Sequence, residues 1–267
     1  MACHNMNWTA AEHDEDRMQE THPPQGAQAA LRAIRLLKLF TAEHPELSLA
    51  ELCQASGLNK TTTHRLLRAL QSENLIERNA TTGAYSLGRG LMALGVQAMA
   101  NSDLRRRVRP VLEALARSSG ETATLEVPMA DSMLIVDEVA GSHVVGAAGN
   151  IGARCPLHAS STGKAFLAFE ANGLERLGSP LMALTAKTLV DRSAFPRQFI
   201  EIRRRGYAVS VDELEQGYAA VATVIRGALG DVQAALCIGG PTQRLHAARR
   251  AELGAALCEA ARYLNHL

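Results

Sequence analysis

Apolar residues recur at helical spacing from Ala27 onward, at Leu31, Ile34, Leu37 and Leu39-Phe40. That period predicts an amphipathic helix closed by Pro45. Ser48-Leu-Ala-Glu51 has the spacing of a capping box, so a second, short helix is expected through about Ala55. Ser56-Gly57-Leu58-Asn59 reads as a turn, with Gly57 free to take positive φ and Asn59 placed to cap a third helix. That third helix, 59–72, divides its residues sharply. Leu66, Leu67 and Leu70 can face a core, whereas Lys60, Thr61, Thr62, His64, Arg65 and Arg68 supply donors and positive charge, with no acid in the stretch. Two short strands are then expected, Leu75–Arg78 and Ala84–Leu87, joined by the turn-rich Asn79-Ala-Thr-Thr-Gly83. Helix, glycine turn, basic helix and hairpin together predict a winged helix-turn-helix. The basic helix suits a major groove, and Arg78 and Thr82 on the wing are within reach of phosphate or minor groove.

Residues 88–119 read as mostly helical, with Pro110 at the first turn of a new helix carrying Val111, Leu112, Leu115 and Ala116. The segment before Pro110 is expected to be a linker helix and dimer contact. Arg105-Arg-Arg107 beside Leu104 form either a solvated face or a second approach to DNA. From Thr122 the pattern becomes strand-like. Thr122–Val127 and Met133–Val139 form a hairpin, and 143–148 a third strand. Helices are expected from Ser160 to about Ala171, from Gly173, over Phe195–Arg205 ending at Gly206, and over Gln243–Leu264. Tyr207–Val211, Ala219–Arg226 and Val232–Ile238 lean to strand. Hairpins at both ends with helices between them predict an α+β domain around an antiparallel sheet.

The 267 residues, 47% of them hydrophobic, suffice for two ordinary domains. A net charge of +1 would not by itself suggest nucleic acid, but the charge is unevenly spread. Residues 1–26 carry one Arg against five acids, and 27–90 eight Lys or Arg against five. Residues 91–108 carry three against one, and 109–267 sixteen against sixteen. A mildly basic module joined to a neutral bulk suits polyanion binding. The acidic first 26 residues read as a disordered tail, in which Cys3, His4 and His13 could at most hold a stray metal. Five scattered cysteines with no CxxC indicate neither a disulfide framework nor a zinc knuckle, so the reducing cytoplasm is the expected compartment. No signal peptide and no membrane-spanning run is recognisable.

The richest stretch chemically is Gly152-Ala-Arg-Cys-Pro-Leu-His-Ala-Ser-Ser-Thr-Gly-Lys-Ala165. Here an extended, proline-fixed piece runs into small hydroxyl residues that open a helix. Free amides and the hydroxyls of Ser160, Ser161 and Thr162 make an anion cradle whose natural guest is a carboxylate. Ser161-Thr-Gly-Lys164 also matches the S-x-x-K of serine acylases, without their companion motifs. The alternative function is therefore a serine-dependent small-molecule hydrolase using Ser161 and Lys164. His158 and Cys155 lack a second ligand pair, so His158 is expected to be packed and no metal site is assigned. Asp212-Glu-Leu-Glu215 reads as a loop with solvated charges. With no nucleotide-binding signature present, no cofactor is indicated.

Leu58-Asn-Lys-Thr-Thr-Thr-His-Arg-Leu-Leu with Thr82-Gly-Ala-Tyr-Ser-Leu-Gly88, Pro156-Leu-His-Ala with Gly163-Lys-Ala, Arg205-Gly-Tyr-Ala-Val with Asp212-Glu and Gly217, and Ala234-Ala-Leu-Cys-Ile-Gly-Gly-Pro241 occur in one order along the chain. In this the chain resembles the IclR-type bacterial transcriptional regulators over about residues 27–265. The resemblance implies a winged helix-turn-helix at 27–89, a linker helix and dimer contact at 90–108, and an effector domain with a GAF- or PAS-like fold at 109–267. It implies a non-enzymatic, cytoplasmic regulator that works as a dimer or tetramer, binds a double-stranded DNA operator and answers to a small organic acid. The DNA contacts are then Lys60, Thr61, Thr62, His64, Arg65, Arg68 and Arg78. The effector contacts carried over by position are Ser161, Thr162, Ser210, Ala220, Cys237 and Gly239. Family members that bind small keto-acids have an acid, a cysteine and two serines at 210, 220, 237 and 239, where this chain has Ser, Ala, Cys and Gly. A less polar, roomier pocket is therefore expected, suited to a larger acid such as an aromatic one. Val224 and Thr63 also depart from the family's usual Pro and Val.

Overall fold

The computed structural model describes residues 27–41, 44–100, 102–143, 150–227 and 229–265. The chain divides into two compact units between residues 101 and 102. The expected tail at 1–26, with Cys3, His4 and His13, and most of the strand expected at 143–148 lie outside the described residues.

In the first unit, helices α1 (Gln28–Leu37), α2 (Leu49–Ser56) and α3 (Lys60–Ser72) enclose a core of Leu36, Leu52, Leu66, Leu67 and Leu70. The local signals act as expected. Ser48 Oγ accepts from the Glu51 amide while Glu51 accepts from the Ser48 amide, completing the capping box. Gly57 terminates α2 at φ +66°, a conformation that costs glycine little and other residues much. Asn59 Oδ1 accepts from the Thr62 amide at 2.9 Å and starts α3. Strands β2 (Ile76–Arg78) and β3 (Tyr85–Leu87) form the hairpin. A third strand not anticipated from the sequence, β1 (Glu46–Leu47), pairs with β3, giving the order β1-β3-β2. Two residues are too few to show a period, so nothing local could announce it. Helix α4 (Arg89–Ala100) ends the unit and buries no residue.

The second unit is a six-stranded antiparallel sheet of β4 (Thr122–Pro128), β5 (Ser132–Val139), β6 (Arg154–Pro156), β7 (Ala208–Val211), β8 (Tyr218–Arg226) and β9 (Val232–Pro241), in the order β6-β5-β4-β9-β8-β7. Helices α5 (Asp103–Ser119) and α8 (Ala247–Asn265) cover one face, burying Leu112, Leu253 and Leu257 against Leu125, Val221 and Leu236. Helices α6 (Ser161–Phe169) and α7 (Phe195–Arg205) cover the other, with Phe166, Phe195 and Phe199 against Ala220, Ala222 and Ala235. Strand alternation produces this division, since neighbouring residues of β8 face opposite layers. The α+β fold with an antiparallel sheet is as expected.

Three expectations are corrected. Pro110 does not open a helix but lies inside α5, which Ser102 caps at the Arg105 amide. The continuous apolar face Leu104, Val108, Leu112 and Leu115 packs on the sheet and offsets the lost hydrogen bond. The span 90–108, expected as one linker helix, is shared between α4 and α5. Residues 173–177 form turns, with Leu177 buried in the main core and Leu174 packed against it.

Candidate nucleic-acid interface and ligand cavity

Helix α3 separates its two roles by face. Thr63, Leu66, Leu67 and Leu70 are buried, while Lys60, Thr61, His64, Arg65 and Arg68 are exposed and Thr62 is half-buried. Buried Thr63 satisfies its hydroxyl by donating to the Asn59 carbonyl at 3.1 Å, which is how the position accepts Thr in place of Val. Arg78 is exposed on the wing, donates Nε to the Gly83 carbonyl at 3.2 Å and lies over the Tyr85 ring. Among the described residues, Lys60, Arg65 and Arg68 have no acidic partner within ion-pair distance, so their charge is free to meet a polyanion. Arg105 behaves differently. With Arg109 it holds the fully buried carboxylate of Asp137, at 3.2 and 2.8 Å. It is therefore a structural clamp of the second unit and neither a solvated nor a DNA-facing charge.

The expected effector residues converge only in part. Cys237 and Gly239 on β9 line a cavity of about 30 Å³, room for roughly one water, together with Thr122, Thr124, Glu126, Cys155 and Tyr218. Ser161 stands beside it, its Oγ 3.6 Å from Cys237 Sγ. Thr162 reaches it through Glu126, with a hydroxyl-to-carboxyl distance of 2.7 Å. Ser210 is turned away and donates to the Ala159 carbonyl at 2.8 Å. Ala220 pairs in register with Gly239 but packs into the core.

The expected roomier, less polar pocket is not what the structure contains. Gly239 does vacate space, but the hydroxyl of Tyr218 occupies it, 1.8 Å from where a Cβ would stand. Polarity is restored by Glu126, which the sequence reading missed. Its carboxyl is fully buried, and Thr124 at 3.0 Å, Thr162 at 2.7 Å and the Cys155 thiol hydrogen-bond it. A readable signal existed. Thr122, Thr124 and Glu126 alternate along β4 with the apolar Ala123 and Leu125, placing three polar side chains on one face of an interior strand.

Burial pushes the Glu126 carboxyl above the usual carboxylate range, and its hydroxyl and thiol contacts oppose that only in part. A raised folded-state value means that the contribution of Glu126 to stability is fully present below the unfolded value, about 4.3, and is lost as pH rises through the folded one. The wild-type melting temperature is accordingly expected to fall across that window relative to Glu126→Gln, which keeps the shape and has no charge to bury. Parallel melting curves for the two proteins from pH 4 to 8 check this, and a constant difference would contradict it.

Next to the cavity, Lys164 is buried and its Nζ lies 2.6 Å from Glu213 Oε1. The hydrolase alternative is thereby corrected, because the lysine that would activate Ser161 is committed to an ion pair. The 212–215 loop is not simply solvated either, since Asp212 accepts from Lys187, from the Gly217 amide and from Thr242. His158 is packed, with Nε2 donating to the Met182 carbonyl at 2.9 Å, and burial holds it below the ordinary histidine range. Among the described residues no group of three or more His, Cys, Asp and Glu is arranged for a metal, and no helix is long and apolar enough to cross a membrane.

Residues 96–266 match the family model described as bacterial transcriptional regulator IclR C-terminal, and residues 29–80 match the IclR helix-turn-helix domain. The chain is 32% identical over 250 residues to the transcriptional repressor IclR of Escherichia coli K12, covering 91% of this chain and 90% of that protein. It is 33% identical over 243 residues to the regulator BhcR of Paracoccus denitrificans, covering 90% and 87%. Among solved structures, an IclR transcriptional regulator from Silicibacter sp. TM1040 superimposes with a TM-score of 0.81 at 26% identity, covering 89% of this chain and 95% of that one. An IclR homologue from Microbacterium hydrocarbonoxydans, solved with 4-hydroxybenzoate, gives 0.73 at 25% identity, covering 89% and 98%.

Proposed function

Because the chain belongs to the IclR family of transcriptional regulators, DNA-binding proteins and not enzymes, we propose that it controls a catabolic operon by placing α3 in the major groove of an operator and answering to a small organic acid held beside α6. The observation that carries this reading is the division of α3 into a packed face and an exposed, acid-free basic face. Lys60, Thr61, Thr62, His64, Arg65 and Arg68 meet the duplex, and Arg78 follows the backbone from the wing. The protein works in the cytoplasm as a dimer or tetramer joined through α4. In support, α4 buries nothing and leaves Met92, Leu94 and Val96 exposed.

The effector half rests on the cavity lined by β4, β9 and Tyr218. Cys237 and Gly239 line it, Ser161 and Thr162 stand beside it through Cys237 and Glu126, and Ser210 and Ala220 lie off it, held by the Ala159 carbonyl and by the core. The neighbour solved with 4-hydroxybenzoate supports an acid, aromatic acids included, as the ligand class. In its present closed form the cavity holds about one water, so an occupant of that size enters by displacing Tyr218. Through linkage, acid that changes DNA affinity has its own affinity changed equally by DNA.

Fluorescence anisotropy on the DNA upstream of the protein's own gene tests the reading. Arg65→Ala and Arg68→Ala are each expected to weaken binding, and to lower the slope of log affinity against log salt by about 1 where they meet phosphate. Where either reads a base edge instead, it costs about 1–3 kcal/mol at the cognate site. Wild-type affinity and slope in both variants would remove α3 from the interface.

A further inference from the structure

Strand β5 carries one residue more than β4 beside it. Glu126 pairs with Ile135 and the adjacent Leu125 with Asp137, so Val136 is a β-bulge. Without it, Ile135 and Asp137 would point to the same side of the sheet. With it, Ile135 lines the cavity and packs in the layer of α6, whereas Asp137 turns to the other face, where Arg105 and Arg109 of α5 hold it. A hydrogen-bonded path connects the two sides. Asn150, also in the cavity lining, donates its side-chain amide to Glu138 Oε2 at 3.2 Å and its backbone amide to the same oxygen at 3.3 Å. The Glu138 carbonyl accepts from Arg109 Nη1 at 3.1 Å, and that nitrogen also donates to Asp137 Oδ1 at 2.8 Å. The last link is poorly made. Arg105 Nη2 lies 3.4 Å from Asp137 Oδ1, and its Nε stands 3.2 Å from Oδ2, yet both of those buried atoms lack a hydrogen bond. A buried charge pair normally completes such bonds, because leaving them unmade costs the desolvation of each group. Arg109, by contrast, has a second acid on its own helix, Glu113 at 3.0 Å.

We propose that this path reports the filling of the cavity to the start of α5, with the Arg105 and Asp137 pair as the joint that closes or opens. The inference rests on the cavity being the effector site. An occupant that spreads the cavity presses on Ile135 and Asn150. Ile135 is one residue from the bulge, where the ladder between β4 and β5 is already interrupted and movement costs least. A small shift of β5 there aligns Arg105 with Asp137 or parts them, and Glu113 keeps Arg109 satisfied in either arrangement. A joint with two arrangements is what an occupant must bias if it is to be felt at a distance. The output lies at the right place in the chain, because α5 begins at Asp103, directly after the boundary between the two units.

Hydrogen exchange and DNA binding of the full-length protein test this, with Asn150→Ala at the cavity end, Arg105→Ala at the helix end, and the two combined. Asn150 makes no hydrogen bond to α5, yet in Asn150→Ala the amides of 106–109 are expected to exchange about tenfold faster. In Arg105→Ala the same is expected at the far end, at 138 and 150. Each single variant should change affinity for the DNA upstream of the protein's own gene by about fivefold or more. The wild-type salt slope should persist, since neither side chain meets phosphate. The double variant should do no more than the larger single one, because both break one path. Exchange changes confined to each variant's own neighbours, or effects on DNA affinity that simply multiply, would overturn the relay and leave the cavity reading standing. That reading fails separately. Among a set of aliphatic and aromatic acids that includes 4-hydroxybenzoate, one that binds the wild type without changing exchange at Ile135 or Asn150 would put the effector elsewhere and remove the relay's input. Should Arg105→Ala not fold, Arg105→Lys, which keeps the charge and loses the planar fork, takes its place.

Discussion

Glu213→Gln is expected to destabilise the effector unit by about 3–5 kcal/mol, the range found when one partner of a buried ion pair is removed. Lys164 Nζ lies 2.6 Å from Glu213 Oε1, and its side chain is 2% exposed. Burial pulls the ammonium below the ordinary lysine range, and Glu213 is the main influence holding it up. Without Glu213 the burial cost stands alone. The folded state then sheds the Lys164 proton at lower pH than the unfolded chain, whose value is near 10.4. Between those two values the unfolded state binds more protons, so the stability of the variant rises with pH there. Chemical denaturation at pH 7 and pH 9.5 measures both effects. Lys164→Met combined with Glu213→Leu is expected to recover most of the loss, since apolar replacements of buried ion pairs are often neutral or better. A Glu213→Gln protein as stable as wild type would show that the pair is dispensable.

The second large effect is on assembly. Helix α4 has 12 residues and buries none, with Met92 70% and Val96 65% exposed. A helix this short is marginal in water without tertiary packing, and the hydrogen bonds that tie it to the rest of the DNA-binding unit among the described residues come from its first turn, from the Gly90 amide to the Asn74 carbonyl and from Arg89 to Glu77. A second copy of the helix is the partner the proposed dimer supplies. The double variant Met92→Glu, Val96→Glu is expected to sediment as a smaller species. Its affinity for an operator with two half-sites should fall about 10²- to 10⁴-fold, as the avidity of paired heads is lost, while single half-site binding stays unchanged. Wild-type sedimentation together with wild-type operator affinity would place the interface elsewhere.

How far the residues announced these features depended on distance along the chain. Ser48 and Glu51, Gly57, and Asn59 with Thr62 are within a turn of each other, and their caps formed as their identities dictate. The strands β4, β5, β8 and β9 were likewise visible as alternating or apolar runs. What escaped was set by partners far apart: Glu126 with Thr162 across 36 residues, Lys164 with Glu213 across 49, and Arg105 with Asp137 across 32. A charge in a run of sequence is solvated until its partner is known, which is why the 212–215 loop and the arginines of α5 read as surface. Pro110 failed for the opposite reason, because its strong local preference was overruled by the apolar face of α5. The pocket inference failed through Tyr218, which stands two residues before Ala220 on the same strand and fills the gap left by Gly239 on the next.

The division of α3 also bears on how such a protein changes over generations. None of the side chains proposed to touch DNA belongs to the hydrophobic core of its unit, which is formed on the opposite face by Leu66, Leu67 and Leu70 and joined there by buried Thr63. Lys60, Thr61, His64, Arg65 and Arg68 can be replaced without opening a cavity or stranding a buried polar group. New operator preferences are therefore reachable by single steps that leave folding intact, and a gene copy can acquire a different address on the chromosome while its scaffold stays under the same selection.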